Sequence, residues 1–264
     1  MNKFIEISSR DNKLVKFVHS LEKKSNRWDK KSFVIEGEKL LIEAIKTNQK
    51  IEFIMLSEKV FSSDRFNEII ETVKDNVNFY ILEHKLFQTI SNLENSQGIL
   101  AVVSFNVKEL KDISIRNIIF YSDGIQDPGN LGTIIRSIDA FGLGGIIIGE
   151  NTVDPYNPKV VRATMGSIFR VPIFLNRNGI NGLSYLQEKG FRILSTVPKE
   201  GIHINEFDFK TGDCIVIGNE GNGVSEEIKL LASDHLMINM KGNAESLNAS
   251  IAAAIIMYEI STKV

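Results

Sequence analysis

Three loops place chemically capable side chains beside apolar segments. The first, Ser122-Asp123-Gly124-Ile125-Gln126-Asp127-Pro128-Gly129-Asn130-Leu131-Gly132, feeds a helix that carries Arg136. Pro128 and the glycines force a tight turn, and the helix start offers backbone N–H groups to an anion. Gly132 lies one turn before Arg136, so nothing bulky covers that part of the face. A simple helix cap with a salt-bridged arginine would carry the same residues. The second loop, Gly218-Asn219-Glu220-Gly221-Asn222-Gly223, follows an apolar strand. Its spacing is not G-x-G-x-x-G and no Walker lysine follows. Glu220 inside the turn would repel a pyrophosphate, so the loop suits a ligand without phosphates, or no ligand at all. The third loop runs from Met240 to Ser250 and opens the last helix, with Ser246 placed as its N-cap. Ala249, Ala252, Ala253 and Ala254 leave a smooth surface for close packing, onto a sheet or onto a second subunit.

Such loops need rigid elements to aim them. From residue 32 onward, apolar runs alternate with helical stripes. Strands are expected at 33–35, 51–56, 77–82 and 99–105, with helices at 37–47, 65–73 and 84–90. They make a first α/β unit over residues 1–105. Residues 106–116 are polar and read as a linker. A second unit, 117–264, is expected to hold strands at 118–121, 145–148, 171–174, 191–196, 214–217 and 235–239. Its helices are expected at 131–141, 157–165, 180–188, 225–231 and 247–260. Unbroken runs such as Ile146-Ile147-Ile148 and Ile215-Val216-Ile217 suit a parallel sheet covered on both faces.

The chain has 264 residues, 43% of them hydrophobic and 24% charged, which is ordinary for a folded protein. A single cysteine excludes a disulfide framework and a cysteine-based zinc cluster. No signal-peptide core or membrane-length apolar run is present, which implies a cytoplasmic protein without a membrane anchor. The formal charge of -2 hides an uneven spread. Residues 1–31 hold nine basic and four acidic residues, a net +5, against -7 for the remainder. Leu14, Phe17, Val18 and Leu21 follow a helical stripe there, with Lys13, Lys16, Lys23 and Lys24 off it. With Arg10, Arg27 and Trp28 nearby, this basic segment could grip RNA phosphates and stack on a base, or could be a solvated face over a core.

The three loops, in this order and at these separations, resemble the signature motifs of the SpoU family of RNA 2'-O-ribose methyltransferases, within the SPOUT or α/β-knot class. The matching stretches are Asp127 through Arg136, Ile217 through Gly221 with Gly223, and Ile238-Asn239-Met240 through Ser246-Leu247-Asn248-Ala249-Ser250. Phe33-Val34-Ile35-Glu36-Gly37 with Leu40 resembles the opening of that family's small, ribosomal-protein-like α/β substrate domain. The resemblance implies a C-terminal parallel sheet tied in a deep trefoil knot and a homodimer through that domain. It implies S-adenosylmethionine as methyl donor and no metal. The donor contacts would fall on Thr196, Val197, Ile217, Gly218, Gly221, Ile238, Met240, Ser246 and Leu247. The catalytic set would be Arg136, Asn130, Glu220, Ser246 and Asn248, and RNA would meet Arg10, Lys13, Lys16, Lys23, Lys24, Arg27 and Arg136. The implied substrate is ribosomal RNA of the large subunit, with transfer RNA as the alternative.

A ribose hydroxyl must lose its proton as it attacks a sulfonium methyl. The family's proposed arginine base is awkward, because guanidinium stays protonated in proteins. Arg136 is better placed as a phosphate clamp and oxyanion stabiliser, with Asn130, Glu220, Ser246 and Asn248 orienting the reactants. Carbon-5 pyrimidine methylation would need a thiol, and Cys214 opens an apolar strand where an inert buried cysteine is expected. His19, His84, His203 and His235 lack metal spacing, with His203 nearest the donor loop. Three rivals remain: a non-catalytic RNA-binding protein, a dinucleotide oxidoreductase, and a base-nitrogen methyltransferase. The missing G-x-G-x-x-G argues against the second, and Ser246-Leu247-Asn248 against the third.

Overall fold

Apolar runs of three to six residues, bounded by glycine or polar turns, become strands here because helices cover them on both faces. The computed structural model describes residues 3–61, 73 and 77–264. The helix expected at 65–73 falls almost wholly outside these residues. The chain divides into two units, 1–106 with 156–169, and 107–155 with 170–264.

In the first unit the order is β1 (Lys3–Ile7), α1 (Lys13–Ser20), α2 (Lys24–Lys30), β2 (Ser32–Glu36), α3 (Glu38–Lys46), β3 (Ile51–Ser57), α4 (Glu58–Phe61), β4 (Asn78–Leu82), α5 (His84–Ile90) and β5 (Ile99–Ser104). The sheet runs β1-β4-β3-β5-β2. β1, β4 and β3 are parallel, while β5 is antiparallel to both of its neighbours. Val15, Val18 and Leu21 pack with Phe53, Met55, Phe87 and Leu100 in its core. The expected stripe is therefore turned by one position, with Leu14 and Phe17 only partly buried. β1 escapes sequence reading because four of its five residues are exposed on an edge strand.

The single basic helix expected from the stripe is two helices, broken after Ser20. Arg27 explains the break. It is 2% exposed, and its guanidinium donates to the carbonyls of Leu21 and Glu22, both at 2.7 Å. Those carbonyls end α1 and would otherwise lack partners.

A helix at 157–165 was expected in the second unit, but α7 (Pro158–Ala163) packs with the first. Aromatic contacts account for this. Tyr156 stacks on Phe105 at 3.8 Å and meets Trp28 and Phe33 at 5.8 and 5.1 Å, while Phe169 meets Phe33 at 6.3 Å. Trp28 is thus a packing residue with Phe105 and Tyr156, rather than a free platform for a base.

The second unit contains β6 (Lys108–Glu109), β7 (Ile119–Asp123), α6 (Pro128–Ala140), β8 (Ile146–Ile148), β9 (Ile173–Leu175), α8 (Ile180–Glu188), β10 (Arg192–Thr196), β11 (Ile202–His203), β12 (Asp213–Gly218), α9 (Glu226–Leu231), β13 (Asp234–Met237) and α10 (Ala249–Lys263). Its eight strands run β11-β13-β10-β12-β7-β8-β9-β6, and every pairing is parallel. Part of the stretch 106–116 belongs to this sheet instead of hanging free. β6 pairs with β9, and Leu110 and Ile113 pack against the core of Ile119, Ile193 and Val216. No helix of the described residues is long and apolar enough to cross a membrane.

Candidate active site

The carboxyl ends of β7, β10, β12 and β13 lie side by side, so the loops after them meet, as the strand order of an open parallel sheet requires. Pro128 begins α6, and Asp127 caps it by accepting the backbone N–H of Asn130 at 2.8 Å. The backbone N–H groups of Gln126 and Asp127 donate to Glu220 at 3.2 and 3.1 Å. The anion at this helix start is therefore the protein's own carboxylate.

The second loop is a turn organised by Asn219, which sequence reasoning passed over. Its side chain accepts from the backbone N–H of Gly221 and Asn222 at 2.9 and 3.0 Å and donates to the carbonyl of Gly124 at 2.7 Å. An asparagine two residues before a glycine is the signal that could have found it. Asn219 and Gly223 also exchange backbone hydrogen bonds at 3.0 and 2.9 Å. Gly218 is required there, since a Cβ would sit 2.1 Å from Gly223 C and Val224 N.

The third loop corrects one expectation. Ser246 is exposed and does not cap the last helix. Asn248 is the N-cap, its Oδ1 accepting from Ser250 N, Ile251 N and Ser250 Oγ at 2.9, 3.3 and 2.7 Å. Asparagine caps as well as serine does, so residue type alone did not separate them.

One hydrogen-bonded line joins all three loops. Asn248 Nδ2 donates to Asn130 Oδ1 at 2.9 Å, and Asn130 Nδ2 donates to Glu220 Oε1 at 2.9 Å. Burial works to raise the Glu220 carboxyl. Bonds from the Asn130 amide and from nearby backbone N–H groups outweigh it and hold the carboxyl below its ordinary range. Arg136 is exposed, with no hydrogen bond or ion pair among the described residues. The alternative of a salt-bridged helix arginine does not hold here.

A cavity of about 370 Å³ opens beside this line. Thr196, Val197, Ile217, Gly218, Gly221, Ile238, Met240, Ser246 and Leu247 all line it. So do Pro198, Leu236 and Glu245, which sequence reasoning did not single out, and Ala252, which it assigned to close packing. The wall mixes branched apolar side chains with a glycine turn, two carboxylates, Glu220 and Glu245, and one cation, Lys229, which is paired with Glu226 at 2.8 Å. That chemistry suits a cationic nucleoside more than a phosphate ester.

Cys214 is wholly buried, and burial pushes its thiol well up from the ordinary value. Cys214→Ala is expected to leave methyl incorporation unchanged, at a stability cost of about 1 kcal/mol. Loss of activity in a folded variant would refute the inert reading. Among the described residues, no group of three or more His, Cys, Asp or Glu side chains converges as metal ligands would. His84 meets Ser57 at 3.3 Å and His235 meets Ser195 at 2.6 Å, while buried His203 Nδ1 has no hydrogen-bond partner among the described residues.

An all-parallel sheet gathers three hydrogen-bonded loops at its strand ends, and the second and third of them border an apolar, carboxylate-edged cavity, which is where an open α/β sheet binds its ligands. Residues 117–258 match the SpoU rRNA Methylase family, and residues 12–101 match an MRM3-like substrate binding domain. The chain belongs to the SpoU rRNA methylase family and is a methyltransferase of the SPOUT class. It is 32% identical to the Bacillus subtilis (strain 168) 23S rRNA (guanosine(2553)-2'-O)-methyltransferase RlmP, covering 97% of this chain and 98% of that one. An AdoMet-bound rRNA methyltransferase from Sinorhizobium meliloti matches with a TM-score of 0.85 at 30% identity over 97% of both chains. The SpoU methyltransferase AviRb from Streptomyces viridochromogenes, in complex with AdoMet, matches with a TM-score of 0.85 at 25% identity, covering 95% of this chain and 97% of that one.

Proposed function

We propose that this methyltransferase modifies a ribose 2'-hydroxyl of structured RNA, with large-subunit ribosomal RNA as the substrate and S-adenosylmethionine as the donor. The observation that carries the reading is the apolar, glycine-walled cavity of about 370 Å³ beside the Glu220, Asn130 and Asn248 line. A protein that only bound RNA would need neither. When bound, S-adenosylmethionine supplies an electrophilic methyl group on a positively charged sulfur. Ile217, Leu236, Ile238, Met240 and Leu247 would cover its apolar parts, the glycine turn would admit it closely, and Glu220 and Glu245 favour its positive charge. Arg136, uncommitted within the described residues, is free to clamp a backbone phosphate and to stabilise charge growing on the ribose oxygen.

The first unit supplies the grip on RNA. Arg10, Lys13, Lys16, Lys23 and Lys24 are exposed, Lys16 in a surface pair with Asp11 at 2.7 Å, whereas Arg27 is buried. Replacing Lys13, Lys23 and Lys24 together with glutamine is expected to weaken RNA binding and to lower the log–log salt slope by about 2–3. Donor affinity should not change, and an unaltered salt slope would remove the basic face from the interface.

The composition of α10 supports homodimerisation through it as part of this proposal. Ala253, Ile256, Met257 and Ile260 are buried, yet Ile251 and Tyr258 stay 52% and 60% exposed in the single chain. A helix apolar all round asks for cover on its second face. Sedimentation analysis reads this directly. The family's knot, and work in the cytoplasm, belong to the same proposal. The decisive test is calorimetry with S-adenosylmethionine, followed by mapping of 2'-O-methyl groups in ribosomal RNA treated with the protein. Donor heat with a new ribose methyl supports the reading. Absent heat, or a methyl on a base, overturns it.

A further inference from the structure

The line from α10 to Glu220 has chemically unambiguous ends. At one end stand backbone N–H groups of Ser250 and Ile251, which can only donate. At the other stands a carboxylate already accepting the backbone N–H groups of Gln126 and Asp127. Between them lie two side-chain amides, each with one donor end and one acceptor end. Only one arrangement satisfies every member. Asn248 must turn Oδ1 to the helix and Nδ2 to Asn130, and Asn130 must turn Oδ1 to Asn248 and Nδ2 to Glu220. Neither amide can flip without setting donor against donor or oxygen against oxygen.

This polarity decides what the site offers a substrate. Asn248 Oδ1 accepts three hydrogen bonds, so it has no room for a fourth partner. Asn248 Nδ2 spends one hydrogen on Asn130 and keeps another. Asn130 is only 8% exposed, while Asn248 is exposed between Leu247 and Ala249, both in the cavity wall. Glu220 Oε1 accepts two N–H groups and Oε2 a third.

We propose that this line is a polarity lock, in which Glu220 acts as a positioning residue and Asn248 presents an N–H donor, never a proton acceptor, to the ribose oxygen. It rests on the ribose-methylation reading above. As the ribose oxygen takes the methyl and the sulfur–methyl bond breaks, the 2'-hydroxyl proton leaves to water or to an RNA phosphate oxygen, not to this line. Asn248 holds the oxygen as negative charge gathers on it.

The sharpest test is Asn248→Asp. Aspartate caps a helix as well as asparagine does, so folding and melting temperature should hold. It cannot donate to Asn130 or to the ribose. The lock predicts that kcat falls about 100-fold or more, with donor affinity by calorimetry within a few-fold of wild type. If Asn248 were a proton acceptor, aspartate would serve at least as well. Wild-type or higher kcat would overturn the proposal.

Glu220→Gln and Asn130→Asp each break the polarity at one bond and should each cost about 100-fold in kcat. The pH profile of the residual rate should keep its wild-type shape, because no base has been removed. The double variant does not restore the line, because the glutamine amide at position 220 that would donate to the new carboxylate at 130 also faces the Asp127 N–H. A profile that loses a limb in Glu220→Gln, or a folded Asn130→Asp variant that keeps the wild-type rate, would overturn the lock. These comparisons are made against the wild-type rate on RNA, so failure of the ribose-methylation reading shows separately, as no wild-type transfer.

Discussion

Replacing Arg136 with alanine is expected to stop methyl transfer while donor binding by calorimetry stays at the wild-type level. Arg136 has no partner to lose among the described residues and is exposed on α6, so the fold should shift by less than about 0.5 kcal/mol. Its loss should therefore appear in turnover and not in stability. Removing a preorganised donor from a growing oxyanion costs about 100- to 1,000-fold, and loss of the phosphate clamp adds misalignment to that. Lysine at this position keeps the charge without the planar fork, so Arg136→Lys should fall between alanine and wild type. Full activity in Arg136→Ala, read as methyl incorporation into RNA, would remove the residue from the mechanism.

Gly218→Ala should have the opposite signature, with donor binding lost first. The added Cβ would lie 2.1 Å from two backbone atoms and 2.4 Å from a third, Gly223 O. Backbone cannot yield there without opening the paired hydrogen bonds between Asn219 and Gly223. That turn lines the cavity and holds Glu220 in reach of α6. Overpacking of this kind costs about 1–3 kcal/mol, or roughly 2–4 °C in melting temperature for each kcal/mol. Gly242→Ala is the matched control, because a Cβ there meets nothing within 4 Å. Equal donor affinity in Gly218→Ala and wild type would place the donor elsewhere.

Much of the second unit was readable in advance because its determinants are local. Ile146-Ile147-Ile148 and Ile215-Val216-Ile217 are strands on apolarity alone, and both are. Residues gathered into the cavity wall come from the ends of such strands, and the family resemblance of the loops, not the alternation of strand and loop, pointed to them. Their role as donor contacts remains part of the proposal. What escaped reading depends on distant partners. Arg27 looks like its neighbouring lysines until the carbonyls of Leu21 and Glu22 fold back onto it. Trp28 looks available until Phe105 and Tyr156 arrive from far along the chain. Ser246 was expected as the cap, but Asn248 takes that place by accepting the Ser250 and Ile251 N–H groups, a choice residue type alone does not make. Tyr156 carried no local sign that it belonged with residues before 106.

That last assignment bears on how the protein is made. The aromatic cluster of Phe33, Phe105, Tyr156 and Phe169 draws on both ends of a stretch interrupted by much of another unit. Synthesis proceeds from the N-terminus at about 5–20 residues per second, so roughly 3–13 s separate Asn106 from Phe169 at the ribosome. Through that interval Phe33 and Phe105 have each other and Trp28 but lack the rings of Tyr156 and Phe169. The last strand of the first unit's sheet ends at Ser104, so the part of its aromatic core that Tyr156 and Phe169 supply is delivered late.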